Sequence, residues 1–495
     1  MPSVRARARA LLSRFPAGLA RLGLVDREKA DEAFDLAVPA MITGGMRTVL
    51  RTADFLMVSI AVGETAVAAL ELGFQYYFVP FGLALALTSG TISVVSRFKG
   101  ADEHARADLA VKQSLWLGLA IAAPITLVAW EFPEELIALL TDDPATVAKG
   151  AVYLKIVMLS VGARFWSMIA ARALAGAGDT RTPMYVRLVT LPTNVLLNAV
   201  LVFGVPVLGI RAYGVAGAAA GTAIANGLAA AIFLWLFVAG RRDVRLRPSG
   251  PHWDSALAGE LVRVGAPLAG TRLAQTFGRF PFLFVLGTLG TPVLAAYAIG
   301  RRVILLAMMP AWGYSTAAST LVGQAIGAGD DAAANEYGWQ TLRIALVTQL
   351  LIAVVVVAAA RPIALAFQTE SVGLTVEFVR VFGLTVAGFS VARTMRGGLR
   401  GAGDTRWPLY GTLAGTWVFR LPVAFLAVPS GLAVLTVGGV AVAPGLGLGL
   451  AAVYAAILGD MYVRAAVNTY RFRTGRWKAV ARRSAAGAGP EATDD

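Results

Sequence analysis

Four polar residues stand inside largely apolar runs of this 495-residue chain: Asp54, Asn194, Asn198 and Thr222. An acid in the middle of a membrane span costs about 2.5–3.5 kcal/mol on translocon scales, so it needs a partner, water or a task. Asp54 stands about nine residues from one end of the run 34–62, Asn194 and Asn198 are one helical turn apart in 183–203, and Thr222 is about eight residues into 213–238. At a rise of ~1.5 Å per residue, helices there place all four at a similar depth, ~8–15 Å below one surface. A carboxylate, two amides and a hydroxyl at one depth make a donor set for a cation or an exchanging proton, because desolvation and nearby charge both move a carboxyl's ionisation. A second reading stays open. Arg51 and Arg47, three and seven residues before Asp54, share its helical face and could hold it in a structural ion pair.

Other reactive chemistry is scarce. The chain has no Cys, which excludes disulfides, thiolate metal sites and cysteine nucleophiles. His104 and His252 are isolated in charged connectors and make no metal site. No catalytic constellation is visible, so an enzyme is not expected, and no cofactor beyond a coupling H⁺ or Na⁺. Arg187, Arg279, Arg393, Arg420 and the pair Asp460/Arg464 could line a cavity, snorkel or bind backbone carbonyls. Glu260 and Glu377 lie near run ends and are expected to be solvated. Arg47, Arg51, Phe55, Tyr76, Tyr77, Phe282, Trp312 and Tyr314 are candidates for a substrate cavity, set against ordinary packing or interfacial placement of the aromatics.

The elements that must position these residues follow from composition. With 57% hydrophobic and 15% charged residues and a mean hydropathy of +0.67, the chain reads as an all-α polytopic membrane protein. Twelve spans fit, near 34–62, 66–95, 109–130, 147–175, 183–203, 213–238, 260–289, 293–326, 338–360, 372–399, 408–428 and 445–470, each long enough for a ~30 Å hydrocarbon core. The stretch Leu174–Tyr185 recurs as Leu399–Tyr410, 225 residues on, with nine of twelve positions identical. Each copy ends an apolar run with a glycine pair, makes a polar turn and opens the next run with a proline. Its marked residues are Gly176, Gly178, Asp179 and Arg181, then Gly401, Gly403, Asp404 and Arg406. A second pair, Gly100–Leu115 against Gly327–Leu342, supports the duplication. Two pseudo-symmetric six-helix lobes are the usual plan of a secondary transporter.

The expected division is a basic, amphipathic segment at 1–33, a first lobe at 34–240, a connector at 241–258, a second lobe at 259–470 and a basic tail at 471–495. The net charge of +14 sits in the termini, the connector and the loops of one side, whereas the loop after span 3 carries Glu131, Glu134, Glu135, Asp142 and Asp143 without Lys or Arg. The positive-inside rule then puts both termini in the cytoplasm of a multi-pass plasma-membrane protein, with lipids as partners and no nucleic acid. A monomer is expected. If Pro39 is aligned with Pro267, Arg51 matches Arg279 and Asp54 meets Phe282, so the acid belongs to the first half alone.

The duplicated Gly-Ala-Gly-Asp-Thr-Arg hairpins, Asp54 in span 1, Asn194 in span 5 and Gly214–Thr222 opening span 6 resemble the MATE family of multidrug and toxic compound extrusion transporters, over residues 31–475 and closest to its archaeal and DinF-like branch. That resemblance implies a V-shaped pair of lobes, alternating access and efflux of mostly cationic amphipathic compounds by H⁺ or Na⁺ antiport. It assigns Asp54 the coupling role, with Asn194, Asn198 and Thr222 beside it. The chain departs from the family at Asn198, where an acid is common, which tilts the expectation toward H⁺. Two alternatives stand beside this: a lipid-linked glycan flippase of the same wider superfamily, whose anionic cargo would suit intramembrane Arg, and an intramembrane lipid-modifying enzyme, for which no constellation is visible.

Overall fold

The computed structural model describes residues 14–62, 64–247, 250–432, 435–437, 440–442 and 444–486, with the side chains at 47–56, 58–71, 74, 75, 77–79, 435–437, 440–442 and 483–486 excepted. The chain is built of helices: α1 (Arg14–Arg21), α2 (Arg27–Val62), α3 (Glu64–Gly100), α4 (His104–Glu131), α5 (Pro133–Ala138), α6 (Pro144–Leu159), α7 (Val161–Gly176), α8 (Arg181–Phe203) and α9 (Gly214–Val238) in the first half. The second half continues with α10 (Ser255–Phe277), α11 (Arg279–Thr288), α12 (Thr291–Ala307), α13 (Met309–Gly327), α14 (Asp331–Ala358), α15 (Ala360–Ala366), α16 (Val372–Gly401), α17 (Arg406–Leu413), a π-helical turn (Ala414–Arg420), α18 (Leu421–Phe425), α19 (Gly449–Arg473) and α20 (Trp477–Ala486). One small ribbon was not foreseen: Leu435–Val437 pairs antiparallel with Val440–Val442.

Among the described residues, seven helical stretches are long and apolar enough to cross a membrane. Two bent pairs join them, α6 with α7 at 45° and α12 with α13 at 44°. The spans of α2, of α10 with α11, and of α17 to α18 complete the set of twelve. Pro39 interrupts the first, Gly278 the second and a π turn the third. The bends have local causes: Ser160 carries its hydroxyl back to the Val157 carbonyl at 2.7 Å, and Pro310 follows the break at Met308.

Contacts divide the chain into two compact units whose boundaries fall at Pro39 and Pro267. One consists of Pro39–Ala266; the other combines Pro267–Ala486 with the segment up to Val38. The base of each half's first helix therefore packs with the other half's helices, through matching contacts. In the second unit the Asp26 N–H donates to Gln340 Oε1 at 3.0 Å and Tyr337 hydroxyl donates to Glu32 at 2.7 Å. In the first, Gln113 Nε2 donates to the Asp254 carbonyl at 2.8 Å and Arg97 Nη2 pairs with Glu260 at 2.7 Å. Asp26 and Asp254 both cap their helices, on Lys29 and Leu257 N–H. Glu260, expected in solvent, is buried by this ion pair. Glu377 is exposed, as are His104 and His252.

The second unit's core gathers around Tyr297, whose ring lies 5.6 Å from Phe282 and from Phe382 and 6.0 Å from Phe378. Phe165, Phe233 and Phe237 fill the first. Between apolar helices in lipid no hydrophobic gain is available, so close backbone approach at small residues supplies the packing. The repeated hairpins show this. Gly178 at φ 93° and Gly403 at φ 81° adopt a conformation open to glycine. They let the Asp179 and Asp404 N–H reach back to the Leu174 and Leu399 carbonyls, both at 2.8 Å, in the same helix-ending motif.

Two residues earlier, a Cβ on Gly176 would come within 2.9 Å of the Ile92 carbonyl oxygen, and one on Gly401 would come closer still to that of Ser319. Each span end thus lies directly on the backbone of α3 or α13. Beyond the turn, Asp179 accepts from the Thr182 N–H at 2.8 Å and stands 4.0 Å from Arg242, while Asp404 accepts from Arg471 Nε at 2.6 Å. Burial pushes the Asp404 carboxyl above its ordinary value, with Arg471 pulling the other way. Substituting alanine at either close-approach glycine should destabilise the protein by about 1–3 kcal/mol. Because Gly401 is the tighter site, Gly401→Ala should lower the thermal midpoint of the purified protein more than Gly176→Ala, and the reverse order would refute the duplicated-contact account.

Candidate functional site

In the first half, the polar belt forms where α8 meets α9. A Cβ on Gly217 would fall on the Leu201 carbonyl, and one on Gly221 would fall on Asn198 Oδ1. These two glycines, four residues apart, leave one face of α9 bare and seat the Asn198 amide in the notch. From there Asn198 Nδ2 donates to Asn194 Oδ1 and Asn194 Nδ2 donates to Thr222 Oγ1, both at 3.5 Å, the long limit of a hydrogen bond. Asn194 and Asn198 are buried. One turn beyond Thr222, Asn226 Nδ2 donates to Ser160 Oγ at 3.1 Å, so the belt ends at the α6–α7 bend. Loosely bonded amide and hydroxyl oxygens of this kind can turn toward a cation or a proton-bearing carboxyl without a large desolvation loss.

The second half holds a different centre. Asp460 on α19 is 1% exposed and takes Arg464 on both carboxylate oxygens, at 2.7 and 2.8 Å, from one turn away on the same helix. Arg420, at the end of the π turn, reaches Asp460 Oδ2 at 3.4 Å and lies 4.0 Å from the centre of the Phe282 ring. Thr416 accepts from Arg464 Nη2 at 2.5 Å and donates to Asp460 Oδ1 at 3.4 Å. The sequence permits this because Gly415 offers no side chain where a Cβ would strike Asp460, and Gly278 none where it would strike Thr416. Inside hydrocarbon, the bidentate pair is the arrangement in which a carboxylate and a guanidinium both keep their hydrogen bonds.

Two stretches, 39–200 and 267–426, match the family model described as MatE. The chain belongs to the MatE family. The matches begin at Pro39 and Pro267, the prolines that bound the compact units. Among relatives, the chain is 29% identical over 424 residues to a probable multidrug resistance protein NorM of Bradyrhizobium diazoefficiens, covering 83% of this chain and 90% of that protein. It is 27% identical over 456 residues to a probable multidrug resistance protein NorM of Thermotoga maritima, with 90% and 93% covered. A crystal structure of a MATE protein in the straight conformation shares the fold at TM-score 0.80 and 22% identity, over 92% of this chain and 97% of that one. Members of the MatE family are transporters and not enzymes, and this MatE chain is a multi-pass membrane transporter.

Of the site residues expected from the MatE sequence, Asn194, Asn198 and Thr222 stand in one hydrogen-bonded row. The side chains of Asp54, Arg47, Arg51, Phe55 and Tyr77 lie outside the described residues. Tyr76 donates its hydroxyl to the Leu136 carbonyl, Phe282 is buried under Arg420, and Tyr314 is buried with its hydroxyl 2.8 Å from Thr348 Oγ1. Trp312 is half-buried and carries Arg393 4.2 Å from its ring centre. Thr416 and the π turn escaped sequence reading, which had a span near 408–428. The signals available were Gly415 beside Thr416, Pro422 and an (i, i+4) acid–base pair, Asp460 and Arg464, in an apolar run. Leaving those guanidiniums without their carboxylate should be costly. Asp460→Asn is expected to destabilise the protein by about 3–5 kcal/mol, read as a lowered thermal midpoint, and Asp460→Asn with Arg464→Gln should cost less than the two single changes summed.

Proposed function

We propose that this MatE transporter is a secondary antiporter that exports amphipathic organic compounds, cations among them, by alternating access, with inward H⁺ as the coupling ion. The observation that supports this most is the Asn198–Asn194–Thr222 row, buried at the depth at which the sequence places Asp54 on α2. The row holds no acid of its own, so an ion entering it meets one carboxylate, a donor set better suited to a proton than to a tightly held Na⁺. The NorM relatives carry names that state multidrug resistance, which accords with export of organic compounds.

In the cycle, a proton taken up on Asp54 from outside removes its charge and favours the state that releases substrate outward; its departure inside restores the charge and the other state. The driving force is the differential affinity of the two states for proton and substrate. The basic termini, connector and hairpins, held on the cytoplasmic face by the positive-inside rule, orient the chain in the plasma membrane with both termini inside.

Proteoliposomes loaded with ethidium test the reading. An imposed pH gradient should drive wild-type transport with no Na⁺ present, and Asp54→Asn should abolish it while leaving the thermal midpoint close to wild type. A requirement for Na⁺ would replace the coupling ion. Absence of ethidium movement under either gradient would sink cation export, and a flippase of lipid-linked glycans would then be the better account.

A further inference from the structure

Inside the second unit, the arginines sort into those whose needs the protein meets and those whose needs it does not. Arg464 and Arg420 share Asp460, and Arg400 donates to Ser319 Oγ at 3.1 Å and to the Ser315 carbonyl at 3.2 Å. Arg272 on α10 and Arg393 and Arg396 on α16 have no ion-pair partner among the described residues. The first two face one aromatic ring: the Arg393 guanidinium lies 4.2 Å and that of Arg272 5.8 Å from the centre of the Trp312 indole. Arg396, one turn along α16 from Arg393, is near enough to Arg272, Arg400 and Arg464 to feel their charge. Arg393 Nε is buried with no protein acceptor.

Among the described residues in the spans of this unit, Asp460 is the buried acid, and it is already committed to two guanidiniums. Five arginines, Arg272, Arg393, Arg396, Arg420 and Arg464, thus face one carboxylate. A guanidinium does not shed its proton to escape the cost, so among the described residues Arg272, Arg393 and Arg396 are left without a carboxylate in an ion pair. Trp312, Arg272, Arg393 and Arg396 each keep part of their surface exposed, although the charged ends of Arg272 and Arg396 lie deep. Planar forks of N–H donors suit the two or three oxygens of an oxyanion, and an indole face beside them suits an apolar body.

We propose that Arg272 and Arg393, which face the Trp312 indole, together with Arg396 one turn along α16, form a binding site for the oxyanion of an amphipathic carboxylate or phosphate. The site lies wholly within one unit and does not use the polar belt of the first half. It deepens the export reading by adding anionic and zwitterionic amphipaths to the substrates, and rests on that reading for their passage across the membrane but not for their binding.

Binding is therefore measured without a gradient, on the full chain in phosphatidylcholine nanodiscs, with two probes that share one apolar body and differ in charge: 1-pyrenebutyrate and 1-pyrenemethylammonium. Energy transfer from protein tryptophan to pyrene, corrected with empty nanodiscs, reports occupancy. Pyrenebutyrate should bind at least tenfold more tightly, Arg393→Gln and Arg396→Gln should each remove most of that preference, and Arg393→Lys should keep part of it. Arg272→Gln, on a separate helix, tests the same site if a change on α16 lowers the thermal midpoint.

Replacing a third of the lipid by phosphatidylglycerol separates the sources. Weakened pyrenebutyrate binding would support the site with a lipid phosphate as its occupant, and unchanged binding would support it with a free amphipath. Equal affinities for the two probes in wild type would overturn the proposal, as would a preference that survives Arg272→Gln and Arg393→Gln together. A charge preference without transport under any gradient would leave the site standing and remove the export reading; gradient-driven export without the preference would do the opposite.

Discussion

A charge inside a hydrocarbon layer has no water to fall back on, and the second half of this protein is shaped by how it meets that demand at Asp460. The carboxylate is met on both oxygens by Arg464, again by Arg420 and once by Thr416. For those groups to converge, the span carrying Arg420 and Thr416 must widen into a π turn, and Gly415 and Gly278 must give up the space a side chain would take. Irregular backbone at membrane depth is tolerated where protein groups cover it. The Trp417 indole N–H does so for the Ala274 carbonyl at 3.0 Å, beside the break between α10 and α11.

The two halves share a scaffold and differ in what they bury. Hairpins of one geometry end the fourth and tenth spans, these two spans touch a neighbour's backbone at the equivalent glycines Gly176 and Gly401, and each half's first helix starts among the helices of the other. On that common frame, the Asn198–Asn194–Thr222 row stands in the first half, and the Asp460 ion pairs and the arginines beside Trp312 stand in the second. An amide row costs little to rearrange, whereas a guanidinium cluster stores charge that a ligand can relieve. Duplication supplied the frame, and the polar residues then gave each copy its own chemistry.

Much of this was legible in the chain itself. Apolar runs of a length to cross a bilayer, broken by Gly and Pro, mark the spans closely, because in lipid every backbone group must be satisfied within its own helix. The repeated Leu-x-Gly-Ala-Gly-Asp-Thr-Arg stretch marks the hairpins, since only glycine takes the required turn at Gly178 and Gly403. The common depth of Asn194, Asn198 and Thr222 also follows from spacing, for helical rise alone sets it.

Partners were another matter, because helical spacing fixes depth and face but not which helix stands opposite. Glu260 reads as a solvated end residue until Arg97, 163 positions away, is folded against it. The arginines of the second half look alike in sequence, and only packing distinguishes Arg400, which finds two oxygens of α13, from Arg393, which finds the face of Trp312. Composition and periodicity therefore determined the class, the spans and the duplication, which are local consequences of burying backbone in lipid. The tertiary structure decided which buried charges are neutralised, since that depends on contacts between helices far apart in the chain, and an ion pair is made or missed within a few ångströms.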